Sequence, residues 1–120
     1  MDTTADTIGT IKAQITSHPV LLYMKGTPQF PQCGFSARVA HILETLKTKL
    51  AYVNILEHPD IRATLPGYAN WPTFPQLYIQ GELIGGCDIV SDLYAKGELA
   101  ALLSAANALM ESKSDIIAAV

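Results

Sequence analysis

The sequence predicts one α/β domain, a mixed four-stranded sheet sandwiched by about five helices. Three observations predict it. An apolar run at 20–24, a helical pattern and a second apolar run at 50–55 follow one another in the order of a βαβ unit. Two short extended runs then flank the turn Gln80-Gly81-Glu82, the mark of a hairpin. Finally, 120 residues with 49% apolar content suffice for one core and are too few for two ordinary domains.

The elements follow in order. Ile8, Ile11 and Ile15 recur at helical spacing, with Lys12, Gln14 and Thr16 assigned to the other face, so residues 4–17 read as an amphipathic helix. His18-Pro19 ends it. Val20-Leu21-Leu22-Tyr23-Met24 has no polar alternation, which suits a strand buried on both faces. A Pro- and Gly-containing loop covers 25–32. Phe35, Val39, Ile42, Leu43 and Leu46 then mark a second helix, with Arg38, His41 and Thr45 facing out.

Residues 50–55 form the second strand, parallel to the first because a helix joins them. Pro59 opens a short helix at its first position, and Pro66-Gly67 interrupt or end it. Residues 76–79 and 83–84 are the third and fourth strands. Asp88 caps a helix running through Tyr94, and Gly97 breaks the chain before a last Leu/Ala-rich helix. Residues 113–120 read as a loosely held tail, although Ile116-Ile117 offer an apolar pair for docking.

Composition excludes several classes. Net charge is −3, from 8 basic and 11 acidic residues, and the basic ones are scattered. Neither nucleic-acid binding nor a polybasic membrane patch fits that pattern. No apolar run approaches membrane-spanning length. Two cysteines do not make a secreted disulfide framework. The acidic, polar start Met1-Asp2-Thr3-Thr4-Ala5-Asp6 lacks the marks of a signal or transit peptide. The reading is a reducing compartment, the cytoplasm, with a processed organelle-matrix form also compatible.

Chemistry concentrates in three segments. In the first, Cys33 follows the first strand and opens a helix, where free N–H groups and the helix dipole favour an anion. Lys25 adds positive charge across a short loop, and both effects lower a thiol pKa. Ser36 stands where a dithiol motif carries its resolving cysteine, so no local disulfide closes. The bland alternative, an inert core cysteine, fits poorly with the flanking Pro, Gln and Gly.

The second segment, Trp71-Pro72-Thr73-Phe74-Pro75-Gln76, places two prolines just before a strand. A cis peptide at Phe74-Pro75, presenting the Phe74 backbone to an extended peptide, and a rigid turn that only sets strand entry fit equally well. In the third, Gly85-Gly86-Cys87-Asp88, the glycine pair allows close backbone approach and a helix N-terminus can take a carboxylate, while Asp88 can take an ammonium. Arg62 joins Lys25 as a candidate for a ligand carboxylate, against the common reading of solvated surface charge. His18, His41 and His58 show no metal-ligand spacing with each other or with Cys33.

Taken together, Met24-Lys25-Gly26-Thr27-Pro28 through Cys33-Gly34-Phe35-Ser36, Trp71 through Leu77, and Gly85-Gly86-Cys87-Asp88 resemble the monothiol glutaredoxins of the Cys-Gly-Phe-Ser class. The resemblance covers roughly residues 4–110 and implies a thioredoxin-like fold in the short single-domain form, one glutaredoxin domain over 1–112 with the tail at 113–120. It implies glutathione in a groove. Lys25 and Arg62 would hold its glycine carboxylate, the Phe74 backbone its cysteine backbone, and Cys87 and Asp88 its γ-glutamyl end. Cys33 would be both the reactive thiol and a metal ligand.

The resemblance further implies a [2Fe–2S] cluster bridging a homodimer, which would serve cluster carriage, transfer and iron homeostasis. Cluster sites want four soft ligands. Two Cys33 thiolates and two glutathione thiols reach that number; Cys33 and Cys87 from each of two chains are a rival set. Implied partners are a BolA-like protein and apo iron–sulfur proteins. The alternative function is a glutathione-dependent thiol–disulfide oxidoreductase working by a monothiol route, an activity the class shows at most weakly. A purely structural domain is the third and weakest reading.

Overall fold

The computed structural model describes residues 4–108 and 116–119. Five helices and five strands occupy them: α1 Thr4–Ser17, β1 Val20–Met24, α2 Gly34–Thr45, β2 Leu50–Asn54, α3 Pro59–Ala69, β3 Gln76–Ile79, β4 Glu82–Gly85, α4 Cys87–Ala95, α5 Glu98–Ala105 and β5 Ile116–Ala118. The sheet runs β4-β3-β1-β2-β5. β2 lies parallel to β1, whereas β3 is antiparallel to β1 and β4 to β3. This is the mixed sheet that the βαβ and hairpin patterns predict.

β1 sits at the centre, and its five residues are all buried. Val20, Leu22 and Met24 point into a core shared with α2, α4 and α5 through Val39, Leu43, Val90, Leu99 and Leu103. Leu21 and Tyr23 point the other way, into a core with Ile11 and Ile15 of α1 and Ile61 and Leu65 of α3. An unbroken apolar run is what a strand covered on both faces requires.

Four expectations need correction. The sheet has five strands, not four: Ile116–Ala118 pair parallel with Leu50–Tyr52 and cover the open edge of β2. Ile116-Ile117, the pair expected to offer docking, are thus held in a strand and not in a loose tail, while the boundary placed at residue 112 lies outside the described residues. Pro66-Gly67 do not end α3, which runs on to Ala69 and closes at Asn70 in the left-handed conformation, with φ 51°. Burial of Ile61 and Leu65 holds the helix through the hydrogen bond that Pro66 cannot donate. Gln14 is not on the solvent face; it is buried and accepts a 2.7 Å hydrogen bond from the Tyr23 hydroxyl. Asp88 is not the cap of α4. Gly86 occupies the cap, and Asp88 lies in the first turn.

Candidate functional site

A groove of about 820 Å³ opens along one end of the sheet. Its wall includes Lys25, Cys33, Arg62, Phe74, Cys87 and Asp88, the six residues singled out in the sequence. Trp71, Thr73, Gly86 and Ile89 complete much of the lining.

Cys33 is the N-cap of α2, in extended conformation with φ −153° and ψ 136°. It is partly exposed, as an attacking or ligating sulfur must be. Its thiol pKa is lowered, first by the backbone N–H of Ser36, with burial opposing, then by the Phe35 N–H, the Ser36 hydroxyl and the charge of Lys25. The first of these are the orphan donors of a helix start. Ser36 is fully buried, and its Oγ accepts a 3.1 Å hydrogen bond from the Lys25 backbone N–H. With its lone pair engaged there, the hydroxyl proton is free for the sulfur.

The loop before Cys33 is folded on itself. The Gln32 N–H donates to the Lys25 carbonyl at 2.9 Å, and Thr27 and Phe30 exchange backbone hydrogen bonds at 3.1 and 3.2 Å. Gly26 makes this possible: its φ is +92°, and a Cβ there would lie 2.5 Å from the Phe30 carbonyl and 2.6 Å from the Gln32 nitrogen. Asn54 ties the loop to β2, its Oδ1 accepting from the Gly26 N–H at 2.9 Å and the Leu56 N–H at 3.1 Å. Lys25 is thereby fixed near the sulfur.

The Phe74-Pro75 peptide is cis, the geometry that one of the two readings of that segment needs, and both residues line the groove. Across the groove, α4 starts without a side-chain cap. Val90 is the first residue whose N–H returns to the cap carbonyl, 3.0 Å from Gly86 O. The N–H groups of Cys87, Asp88 and Ile89 precede it at the groove's edge. Gly85, at φ +146°, and Gly86 let this helix end approach: a Cβ on Gly85 would lie 2.8 Å from Ile89 Cδ1, and one on Gly86 3.2 Å from the Pro75 carbonyl. Two helix N-termini thus converge on one groove.

Its wall carries charge of both signs. Lys25 and Arg62 supply cations and Asp88 an anion. The ion pair found among the described residues, Lys96–Asp92 at 3.0 Å, involves none of them. Cys33 and Cys87 are both free thiols. No three metal-ligating side chains gather among the described residues, and no helix there is long and apolar enough to cross a membrane.

Residues 20–84, from β1 into β4, match the family model described as glutaredoxin. The chain belongs to the glutaredoxin family. A curated relative, Glutaredoxin 4 of Pasteurella multocida, is 58% identical over 99 residues, covering 82% of this chain and 91% of that protein. The solution structure of reduced poplar apo GrxS14 superposes with TM-score 0.76 at 47% identity, over 88% of this chain and 98% of that one. A crystal structure of a buckwheat glutaredoxin–glutathione complex shares the fold, with TM-score 0.78 at 23% identity over 88% and 94%. Cys33-Gly34-Phe35-Ser36, with serine where a dithiol motif carries its second cysteine, makes this glutaredoxin the monothiol kind. The thioredoxin-like architecture expected from the motifs is the one observed.

Sequence reasoning missed three residues of this glutaredoxin's site. Ser36 read only as an absent cysteine, yet it is buried against the thiol. Asn54 and Gln76 read as strand residues, yet both side chains hold groove loops. The available signal was a polar residue at the end of an otherwise apolar strand run.

Proposed function

We propose that this glutaredoxin lodges glutathione in the groove and, as a homodimer, carries a [2Fe–2S] cluster held by Cys33 and glutathione, for transfer to apo iron–sulfur proteins. The observation that carries the reading is a partly exposed sulfur on an uncapped helix start, opening onto a groove with cations and an acid along its wall. Lys25 and Arg62 would take the glycine carboxylate. The Phe74 backbone would pair with the cysteine of the tripeptide, and Asp88 with Cys87 would border its γ-glutamyl end. A glutaredoxin of the same fold has been crystallised with glutathione.

The donor set fits a shared cluster. Cys33 and Cys87 are the only sulfur donors of the thiol type in the chain. One Cys33 and one glutathione thiol from each of two protomers reach the four thiolates such a cluster wants. A thiolate cluster supplies labile iron and sulfide; the chain's part is to hold Cys33 deprotonated and to bind and orient glutathione beside it. Release is easy when half the ligands are exchangeable. A BolA-like partner could replace one protomer, and the reducing cytoplasm suits two unpaired cysteines.

Anaerobic purification with and without glutathione tests this, read by absorption spectrum and iron content. Visible charge-transfer bands that need glutathione and vanish in Cys33→Ser are expected. Bands that persist in that variant would overturn the ligand assignment.

The lowered Cys33 pKa favours a second reading, reduction of glutathione mixed disulfides. The Cys33 thiolate would attack the glutathionyl sulfur and expel the substrate thiolate, forming a Cys33–glutathione disulfide. A second glutathione thiolate would attack that disulfide, releasing oxidised glutathione and restoring Cys33. Turnover of a glutathionylated peptide at rates typical of dithiol enzymes would move this reading first.

A further inference from the structure

We propose that Gln76 and Tyr78 form a buried bracket that sets the shape of the Trp71–Pro75 groove wall, which makes them positioning residues for glutathione. This rests on the glutathione reading above. Gln76 opens β3 fully buried, so its amide must find partners inside the protein. Its Nε2 donates to the Trp71 carbonyl at 3.0 Å and to the Thr73 carbonyl at 3.3 Å. Its Oε1 accepts from the Tyr78 hydroxyl at 3.0 Å.

These contacts define the amide's orientation. Two carbonyls on one side demand the NH₂ group there, so the oxygen must face Tyr78, and the phenol must donate. Burial raises the Tyr78 pKa to about 12, so that proton stays in place at working pH. Tyr78 is itself held, its ring edge-on to Tyr23 with centroids 5.7 Å apart at 81°. Tyr23 in turn donates to Gln14 of α1.

The consequence lies at the groove. Trp71 and Thr73 both line it, and Phe74 lies between Thr73 and the Pro75-Gln76 start of the strand. With the carbonyls of residues 71 and 73 drawn inward to Gln76, the wall has one shape before ligand arrives. A preformed wall spares the ordering cost of binding. Without the bracket, binding has to order the loop, so affinity falls while the Cys33 thiol, seated on α2, is untouched.

Tyr78→Phe removes one oxygen and keeps the ring; Gln76→Met keeps length and removes both amide groups. The full chain is titrated with reduced glutathione by calorimetry. Cys33 alkylation is followed against pH, and the emission of Trp71, the single tryptophan of the chain, is recorded without ligand. Tyr78→Phe is expected to weaken glutathione about fivefold, the yield of one lost hydrogen bond. Gln76→Met should weaken it further. The Cys33 pH profile should stay in place, and Trp71 emission should shift to the red.

Tyr78→Phe that binds as tightly as wild type with unshifted emission overturns the bracket. So does an affinity loss matched by a moved Cys33 profile, which is general loosening. If the wild type binds no glutathione, the functional reading falls by that result alone. Trp71 emission then decides whether the bracket orders the loop: a red shift in Tyr78→Phe upholds it, and identical spectra overturn it.

Discussion

Two helix starts face one groove, each with a cysteine, and they hold their sulfurs differently. Cys33 caps α2 from an extended backbone, so its sulfur hangs over a first turn whose N–H groups lack helical partners. Cys87 is already the first helical residue of α4, with Gly86 as the cap, and its sulfur lies 3.9 Å from Ser91 Oγ. The supporting serines are alike in kind. Ser36 Oγ accepts from the Lys25 N–H at 3.1 Å, and Ser91 Oγ accepts from Arg38 Nε at 2.9 Å. One residue of offset along the helix is what separates a sulfur facing the free N–H groups from one packed against the next turn.

The largest expected effect removes one sulfur at a time. Cys33→Ser should eliminate the cluster bands and all fast alkylation. Cys87→Ser should retain both, with glutathione affinity reduced. Equal loss in the two variants, measured by absorbance at matched iron loading, would favour the rival set of four cysteines and erase the asymmetry.

A glycine supports each helix start, and they should differ in cost. At Gly26 a Cβ meets rigid backbone, the Phe30 carbonyl and Gln32 nitrogen, at a positive φ. At Gly85, also at a positive φ, it meets Ile89, whose Cδ1 at 2.8 Å can turn away although its Cβ at 2.9 Å cannot. Gly26→Ala should lose about 3 kcal/mol and Gly85→Ala about 2 kcal/mol in urea unfolding. A reversed order would mean that the α4 end is the more rigid wall.

Much of this was legible in the sequence because it is local. β1 announces its two covered faces by an unbroken apolar run, α2 its buried stripe by Val39, Ile42 and Leu43, and the hairpin its turn at Gln80-Gly81. Five of the six groove residues were legible because three motifs fall in order along the chain; Arg62 lies outside those motifs and entered as a cation the resemblance assigns to a ligand carboxylate. What was illegible depends on distant partners. Ile116–Ala118 become a strand only because β2 has an open edge. Gln14 turns inward only because Tyr23 is there to donate to it. Pro66 is tolerated because the helix face at Ile61 and Leu65 is buried, which outweighs local propensity. Asp88 misled because glycine can take the extended cap position one or two residues earlier than the expected side-chain cap.

A smaller effect sharpens the role of Ser36. Ser36→Ala keeps the backbone N–H that does most to lower the Cys33 pKa and removes the hydroxyl that adds to it. The thiolate form is favoured in the folded state, so stability linked to it is present above the unfolded thiol range and fades as pH falls through the lowered folded value. In the variant the alkylation midpoint should rise toward the ordinary thiol range without reaching it. Iodoacetamide rates against pH measure this. The Lys25 N–H also loses its acceptor, at about 1 kcal/mol. An unmoved midpoint would assign the whole effect to backbone.

The smallest expected effect lies on the other serine. Arg38 is exposed, and its Nε–H to Ser91 joins α2 to α4 behind both sulfurs. A solvent-facing contact of this kind is worth under about 1 kcal/mol. Arg38→Ala should therefore lower the urea midpoint only slightly and leave the Cys33 alkylation profile where it was, since Arg38 is not among the groups that lower the Cys33 pKa. The outcome separates two pictures of the groove. If Cys33 stays put, each helix start tunes its own sulfur through its own first turn. If its midpoint moves as far as in Ser36→Ala, the Arg38–Ser91 link transmits between the helices, and the two ends act as one unit.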